Sequence, residues 1–325
     1  MSTTLTPQVR TSLRTTATRP VESRWERLAP YGYVAPFYLL FAVFGLLPLL
    51  FTFYVALFDW NPIGAKTFVG LDNFRQLAGD GRFWNALKNT FSIWLMSTVP
   101  QLLVALVLAQ VLNSARLRFA SLFRMSMLLP YITSVAATTI VFAQLFDRDY
   151  GLLNYLLGLV GIQHIDFMST ALGSHVLISV MVIWRWFGYN TLLYLASLQA
   201  VPRDLYEAAA VDGAGPVKQF RHITLPSLRP VIVFTVITST IGGLQIFTEP
   251  LLLSNGLLTC GSARQCQTLS LFLFEQGFGS FKFGYGSAVG VALFVIIVVV
   301  AFVNYLLSSR LGNTDRPTSA RKAAR

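Results

Sequence analysis

Charged residues are scarce in this sequence. Only 12% of its 325 residues are Asp, Glu, Lys or Arg, about half the roughly 25% found in soluble domains. Hydrophobic residues make up 54% of the chain, and its mean hydropathy is +0.59. This composition excludes an ordinary soluble domain and predicts an integral membrane protein. The net charge of +11 does not indicate nucleic-acid binding, because the basic residues lie in the tails and in short loops between apolar runs.

Cysteine, histidine and nucleotide-binding motifs are also scarce or absent. Cys260 and Cys266 are the only cysteines, and they have neither CxxC spacing nor neighbouring histidines, so we expect no metal or redox centre. The three histidines form no HExxH motif, and no serine lies in a GxSxG elbow, which disfavours an enzyme. The sequence contains no GxxxxGK[ST], so it predicts no ATP site and no other cofactor in this chain.

Six apolar runs each approach or exceed the ~20 residues that a helix needs to cross a bilayer. They are Tyr31 to Phe58, Phe91 to Leu112, Met125 to Phe146, Leu172 to Leu198, Val231 to Leu253 and Ser287 to Leu307. We therefore predict an all-α integral membrane fold with a six-helix membrane domain at 31–308. Pro48, Pro100 and Pro130 lie inside these runs, where each either marks a kinked, moving helix or makes a static kink.

The distribution of basic residues predicts the orientation in the membrane. Six spans place both termini on one side, and 17 Lys and Arg lie in the tails and the loops of that side, against seven in the opposite loops. The tails at 1–30 and 309–325 and the loop at 199–230 are therefore predicted to be cytosolic. We expect the N-terminal tail to be disordered; an organelle transit peptide is the alternative for this Arg- and Ser/Thr-rich stretch.

The loops on the opposite side differ in kind. Between 61 and 89, aromatic and polar residues alternate in two stretches, which predicts short helices at the membrane interface. The loop at 254–286 holds both cysteines. Because this side is oxidising, we expect a disulfide between Cys260 and Cys266; two free thiols are the alternative.

The loop Glu207 to Pro226, EAAAVDGAGPVKQFRHITLP, is the most informative polar segment. Pro202 suits a first helical turn, and Gly213 is placed to end that helix. Pro216 can begin a second short helix, which Pro226 is expected to end. Two short helices at an angle would form a compact projection that either contacts a cytosolic partner or is a solvated elbow.

The residue spacing of this loop resembles a known motif. Glu207, Ala208, Ala209, Gly213, Ile223, Leu225 and Pro226 occupy every fixed position of EAA-x3-G-x9-I-x-LP. This is the EAA motif of permease subunits from binding-protein-dependent ABC importers. Further stretches, VGLDNF, WNALKNT and LQAVPRDLYEAAAVDGA, are similar to the carbohydrate-uptake branch, which includes the maltose importer's larger permease. QLFDRDYGLLN and VIWRWFGYNTLLYLASLQAVP resemble permeases of cellobiose, cello-oligosaccharide and lactose importers.

The resemblance implies a set of partners and roles. The loop would form a coupling helix in a groove of a separate cytosolic ATPase dimer, which binds the ATP. Glu207 and Asp212 would make polar contacts, Ala208 and Ala209 would allow close packing, and Gly213 would supply the turn. Ile223, Leu225 and Pro226 would anchor the loop to the fifth span. A second homologous permease and an extracytoplasmic sugar-binding protein complete the implied assembly.

Two stretches inside the spans are candidates for the substrate pathway. Arg185 is a charge at bilayer depth, which is costly unless it is paired or faces water. Its neighbours Trp184, Trp186, Tyr189 and Asn190 supply aromatic faces and polar groups that suit a sugar. The alternative is an arginine satisfied by helix carbonyls or by the partner permease.

The second stretch lies in the fifth span. Gly242 and Gly243 are expected to loosen the helix, and Gln245 and Glu249 are predicted to share one face with Phe247 beside them. The alternative is a kinked helix with Glu249 reaching the outer surface. The sequence thus predicts a sugar-translocating permease subunit in a bacterial cell membrane, in contact with lipid; an ion-gradient-driven transporter or channel is the alternative function.

Overall fold

A computed structural model describes residues 24–62, 64–114 and 120–310. The described residues fall into two compact units that meet in sequence at Phe51 and Thr52. The first unit contains α1 (Arg24–Phe41), a π-helical segment (Ala42–Leu46) and the start of α2 (Leu47–Val55). Helix α1 includes the last seven residues of the predicted N-terminal tail, 24–30. The remaining predicted tail residues, 1–23, and residues 311–325 lie outside the described ranges.

The second unit begins with the end of α2, which is followed by a small sheet and then by helices. A two-stranded antiparallel sheet pairs β1 (Phe58–Asp59) with β2 (Thr67–Phe68), with Phe58 opposite Phe68. It is followed by α3 (Asp72–Gly79), α4 (Gly81–Ser114), α5 (Ala120–Ile132), α6 (Val135–Leu145), α7 (Leu152–Leu159) and α8 (Ala171–Gln199). Only the first of the two short interface helices predicted before the second span is separate, since the stretch RFWNALKNT forms the first turns of α4.

The remaining helices complete the membrane domain. They are α9 (Arg203–Val211), α10 (Pro216–Gln219), α11 (Leu225–Leu244), α12 (Thr248–Leu253), α13 (Leu269–Phe274) and α14 (Phe283–Arg310), with π-helical segments at Phe220–Thr224 and Glu275–Gly279. Within the described residues, five helices are long and apolar enough to cross a membrane, and α5 with α6 makes a sixth if this bent pair is one span. The all-helical six-span prediction therefore holds with one bent span.

The third predicted span is bent by 93° between α5 and α6. Pro130 lies near the end of α5 and has no N–H to donate to the preceding turn, which weakens the helix there. Ser134 then adopts an extended conformation with ψ 134°. The sequence predicted a kink at Pro130, but hydrophobicity and the proline do not indicate how large the bend is.

The fifth predicted span is also interrupted. Helix α11 ends at Leu244, and α12 begins at Thr248 after Phe247 leaves the helical region with φ −136°. Gly243 is required just before this break, because a Cβ there would lie 2.6 Å from Cδ1 of Trp94 on α4. The sequence predicted that Gln245 and Glu249 lie one regular helical turn apart. The break between α11 and α12 separates them instead.

Buried polar contacts fix the packing of the central helices. The Tyr194 hydroxyl on α8 and the Thr235 hydroxyl on α11 lie 2.7 Å apart. Asn304 on α14 donates to Thr240 on α11 over 3.0 Å. Helix α8 approaches α5 so closely that a Cβ at Gly188 would lie 1.8 Å from the Met127 carbonyl oxygen. These contacts hold α8 and α11 in the positions that create the cavity described below.

Candidate functional site

A cavity of about 440 Å³ lies between α4, α5, α8 and the interrupted helix α11–α12. This volume falls within the roughly 300–1,000 Å³ of small-molecule sites. Six of the predicted pathway residues line it: Trp186, Tyr189, Asn190, Gln245, Phe247 and Glu249. The two stretches that the sequence singled out are far apart along the chain, and the fold brings them to opposite walls of one cavity.

One face of α8 supplies an aromatic wall. Trp186, Tyr189 and Asn190 follow at helical spacing, and Tyr131 of α5 joins them. The rings of Tyr131 and Tyr189 are stacked with centroids 5.1 Å apart, and Tyr131 contacts Trp186 edge to face, also at 5.1 Å. This group of three rings gives the cavity a broad apolar surface beside polar side chains.

Trp184 and Arg185 were predicted to line the pathway, but they do not belong to the cavity lining. At about 100° per residue, Trp184 points away from the face that carries Trp186 and Tyr189, whereas Arg185 lies at the edge of that face, four residues before Tyr189. Trp184 instead packs against Phe142 of α6, with ring centroids 5.6 Å apart. Nη1 of Arg185 is buried and has no hydrogen-bond partner among the described residues.

The helix break forms the opposite wall. Gln245, Phe247 and Glu249 lie in or just after the break and face the cavity. The Ile246 carbonyl, which the interrupted helix leaves free, accepts a hydrogen bond from the Thr268 hydroxyl at 2.8 Å. Arg185 of α8 interacts electrostatically with Glu249. The break therefore exposes a carboxylate to the cavity while its backbone remains hydrogen-bonded.

Sequence reasoning missed a second set of polar lining residues. These are Thr98 and Gln101 on α4, Thr238 and Ser239 on α11, and Thr248 on α12. Gln101 donates to Ser239 over 3.3 Å, which joins α4 to α11 across the cavity wall. The sequence did contain a signal for part of this set. Thr98 and Gln101 are polar residues at i and i+3 in an apolar span, which places them on one face of the helix.

A disulfide-closed segment packs against α4 and α8. Cys260 and Cys266 are joined by a disulfide and are fully buried. Asn85 and Asn89 of α4 both donate to the Arg264 carbonyl at 2.9 Å. His175 of α8 lies between the Ser92 hydroxyl and the Gln265 carbonyl, 2.9 Å from each.

Two ion pairs, Arg264–Glu275 and Arg82–Asp80, stabilise this part of the structure. Arg264 binds both carboxylate oxygens of Glu275, at 2.6 and 2.8 Å, and this pairing holds the pKa of the Glu275 carboxyl below its ordinary value. Burial alone would raise the pKa of Asp80, but hydrogen bonds from Arg82 and Tyr285 outweigh it and lower the pKa. Both carboxylates thus remain charged and keep their partners at neutral pH.

The predicted coupling loop is a helix, a tight turn and a second helix. Helix α9 carries Glu207, Ala208 and Ala209, and Asp212 caps its end. Gly213 has φ +75°; its N–H bonds to the Ala210 carbonyl, and the Ala214 N–H bonds to the Ala209 carbonyl. This pair of bonds is the Schellman arrangement, which favours glycine at the left-handed position.

Side-chain hydrogen bonds fix the two arms of the loop. Gln219 donates to the Ala214 carbonyl over 3.0 Å, and the hydroxyls of Tyr206 and Thr224 lie 3.0 Å apart. Glu207, Asp212 and Gly213 remain exposed.

The prediction that Pro226 ends the second helix is wrong. Pro216 begins it as predicted, but the helix continues through a π-helical segment, which contains Ile223, into α11, which begins with Leu225 and Pro226. The π-helical turn, closed by the Leu225 N–H on the Phe220 carbonyl, changes the hydrogen-bond register just before Pro226. The missing N–H of Pro226 is thereby accommodated.

Comparisons with known proteins agree with the fold and with the predicted family. Residues 89–313 match the family described as "Binding-protein-dependent transport system inner membrane component". The chain is 36% identical to the lactose transport system permease protein of Rhizobium radiobacter, over 89% of this chain and 97% of that protein. It is also 36% identical to the arabinooligosaccharides transport system permease protein of Bacillus subtilis, over 87% and 89%.

A solved structure has the same fold. A chain from the crystal structure of a bacterial ABC transporter involved in the import of the acidic polysaccharide alginate superposes with a TM-score of 0.75, covering 88% of this chain and 98% of that one at 21% identity. The resemblance to sugar-importer permeases is thus confirmed. The chain belongs to the family of binding-protein-dependent transport system inner membrane components, among the permeases of sugar transport systems.

Proposed function

We propose that this chain translocates a di- or oligosaccharide, such as a cello-oligosaccharide, through the cavity between α8 and the α11–α12 break. The observation that carries the proposal is the lining, which combines four aromatic side chains with amide, hydroxyl and carboxylate groups. Aromatic faces offer apolar surface to the faces of sugar rings, and the polar groups can bond their hydroxyls. An ion-driven transporter, the alternative function, has no comparable support from family membership.

The size of the cavity suits a short glycan. Its volume of about 440 Å³ lies in the lower part of the roughly 300–1,000 Å³ range of small-molecule sites. A longer chain would have to pass through in segments. This favours a disaccharide, or one end of an oligosaccharide, as the bound unit.

The exposed loop at 199–230 is proposed to couple transport to ATP hydrolysis. Leu205 of α9 is half exposed, while Val211 and Val217, on either side of the turn, are 88% and 81% exposed. Apolar side chains grouped on a rigid projection favour burial against a partner, and the exposed carboxylates of Glu207 and Asp212 can pair at its edge. The partner is a separate ATPase dimer that binds the ATP, since no nucleotide-binding motif is found in the sequence.

The proposed assembly also contains a second homologous permease and an extracytoplasmic sugar-binding protein. The chain lies in the bacterial cytoplasmic membrane with both termini in the cytosol, as its basic loops and tails favour. The coupling loop then faces the ATPase, and the disulfide-closed segment faces the binding protein.

Uptake of labelled cello-oligosaccharides by cells expressing the complete importer tests the proposal. Replacing Tyr189 with Ala removes one ring of the aromatic wall and should raise the half-saturating concentration about two- to tenfold, from the ~0.5–1.5 kcal/mol of an aromatic contact. Tyr150→Ala is the matched control, because Tyr150 is 94% exposed and outside the cavity. Equal uptake by both variants would contradict the sugar pathway.

A further inference from the structure

We propose that Glu249 selects the charge of the cargo, so that the cavity admits uncharged glycans and excludes anionic sugars. This inference rests on the proposed function, because it concerns the same cavity. Family membership leaves the question open: one relative is named for lactose, which is neutral, and the same fold occurs in an importer of the acidic polysaccharide alginate.

The charge of the lining carries the argument. Among the described residues that line the cavity, Glu249 is the sole carboxylate, and none is Lys, Arg or His. The other polar lining groups are neutral amides and hydroxyls, such as Gln101, Asn190 and Ser239. A neutral sugar can donate its hydroxyls to these groups, whereas a carboxylate or phosphate on the sugar would meet a like charge without a lining cation.

The position of Arg185 strengthens this conclusion. Arg185 interacts electrostatically with Glu249, but it does not belong to the cavity lining. No ion pair to Glu249 within 4.0 Å occurs in the described part of the chain. Arg185 can therefore moderate the charge of Glu249, but it is not among the side chains that an anion in the cavity would contact.

Charged thiol reagents measure this selectivity without any knowledge of the natural sugar. Both native cysteines form the disulfide, so Ser239→Cys places one free thiol in the cavity wall of the full chain. We expect a cationic methanethiosulfonate to label it faster than an anionic one of similar size, relative to their rates with a free thiol. A rate ratio equal to that of the free thiol would overturn the proposal.

Neutralising Glu249 provides the decisive comparison. For charges about 8 Å apart at an effective dielectric constant of about 40, Glu249→Gln should change each rate about fivefold in opposite directions, lowering the ratio roughly 25-fold. Glu249→Asp, which keeps the charge, should keep the ratio. Asp149→Asn is the matched control, since it removes one carboxylate on an exposed loop outside the cavity. An unchanged ratio in Glu249→Gln would refute the role of Glu249.

Protection by sugars separates this inference from the proposed function. Cellobiose should slow the labelling of Ser239→Cys, and cellobiouronic acid, its anionic counterpart, should do so only after Glu249→Gln. Equal protection by both sugars in the presence of Glu249 would overturn charge selection while leaving the sugar pathway intact. If cellobiose, lactose and arabinobiose all fail to protect while the reagent ratio depends on Glu249, the sugar pathway fails and the electrostatic role of Glu249 stands.

Discussion

Replacement of Gly213 tests whether the geometry of the α9–α10 turn transmits force to the ATPase. Gly213 has φ +75°, and a Cβ added there would meet nothing within 4 Å. A side chain at 213 is therefore opposed by backbone conformation and not by a clash. Gly215, two residues along, also has open space but has φ −68°, which any residue adopts.

The expected size of the effect follows from this difference. An L-residue in the left-handed region costs roughly 1–2 kcal/mol, which lowers the population of the native turn about 5- to 30-fold relative to alternative turns. Gly213→Ser should carry that cost, and Gly213→Val a larger one because its side chain is β-branched. Gly213→Asn should recover most of the activity, since asparagine adopts this conformation more readily.

The assay is ATPase activity of the reconstituted importer, stimulated by the loaded binding protein. Gly213→Ser should lower stimulation several-fold while the amount of complex in the membrane stays constant. Gly215→Ser makes the same substitution at a helix N-cap, where serine is favoured, and should retain full stimulation.

Three outcomes would refute the reasoning. Equal activities of Gly213→Ser and Gly215→Ser would remove the turn conformation as the cause. Full activity of Gly213→Val would show that this turn does not transmit coupling. Activity of Gly213→Asn as low as that of Gly213→Val would show that side-chain presence at the contact surface, and not φ, is what matters.

Three further predictions concern stability in detergent. Asn154 is fully buried and makes four hydrogen bonds within its loop, so Asn154→Ala should destabilise the domain by roughly 2–3 kcal/mol, measured by thermal unfolding. Gly188→Ala should cost at least about 1–3 kcal/mol because its methyl would overlap a carbonyl of α5; Gly158→Ala, in open space on α7, should instead be neutral or stabilising. The lowered pKa of Glu275 means that its pair with Arg264 stabilises the fold fully above the ordinary value of 4.5 and loses this as pH falls through the lowered folded value. Melting temperatures between about pH 7 and about pH 3 should therefore fall less steeply in Glu275→Gln than in the native chain.

Helix breaks were the least predictable part of the fold. Gly242 and Gly243 indicated a weak point in the fifth span. Glycine also occurs at tight contacts between helices, however, and here Gly243 makes such a contact with Trp94. Pro130 indicated a kink in the third span, but a proline does not determine the angle of the kink. At Pro226 the sequence predicted a helix end, and a π-helical turn allowed the helix to continue. These outcomes depend on neighbouring helices, which a local pattern does not contain.

The sequence by itself determined the class, the family and the loop with the EAA motif. Hydrophobic length, basic-residue distribution and fixed motif spacing are local properties of the chain, so they can be read without knowing its path in space. Only the tertiary structure decided which polar side chains share a cavity. Trp186 and Tyr189 line it while Trp184 and Arg185 do not, because a helix turns about 100° per residue and the neighbours determine which face is enclosed. Glu249 lies beside the same cavity because α11 breaks next to Gly243, where it packs against Trp94 of α4. These two residues are some 150 positions apart in the chain.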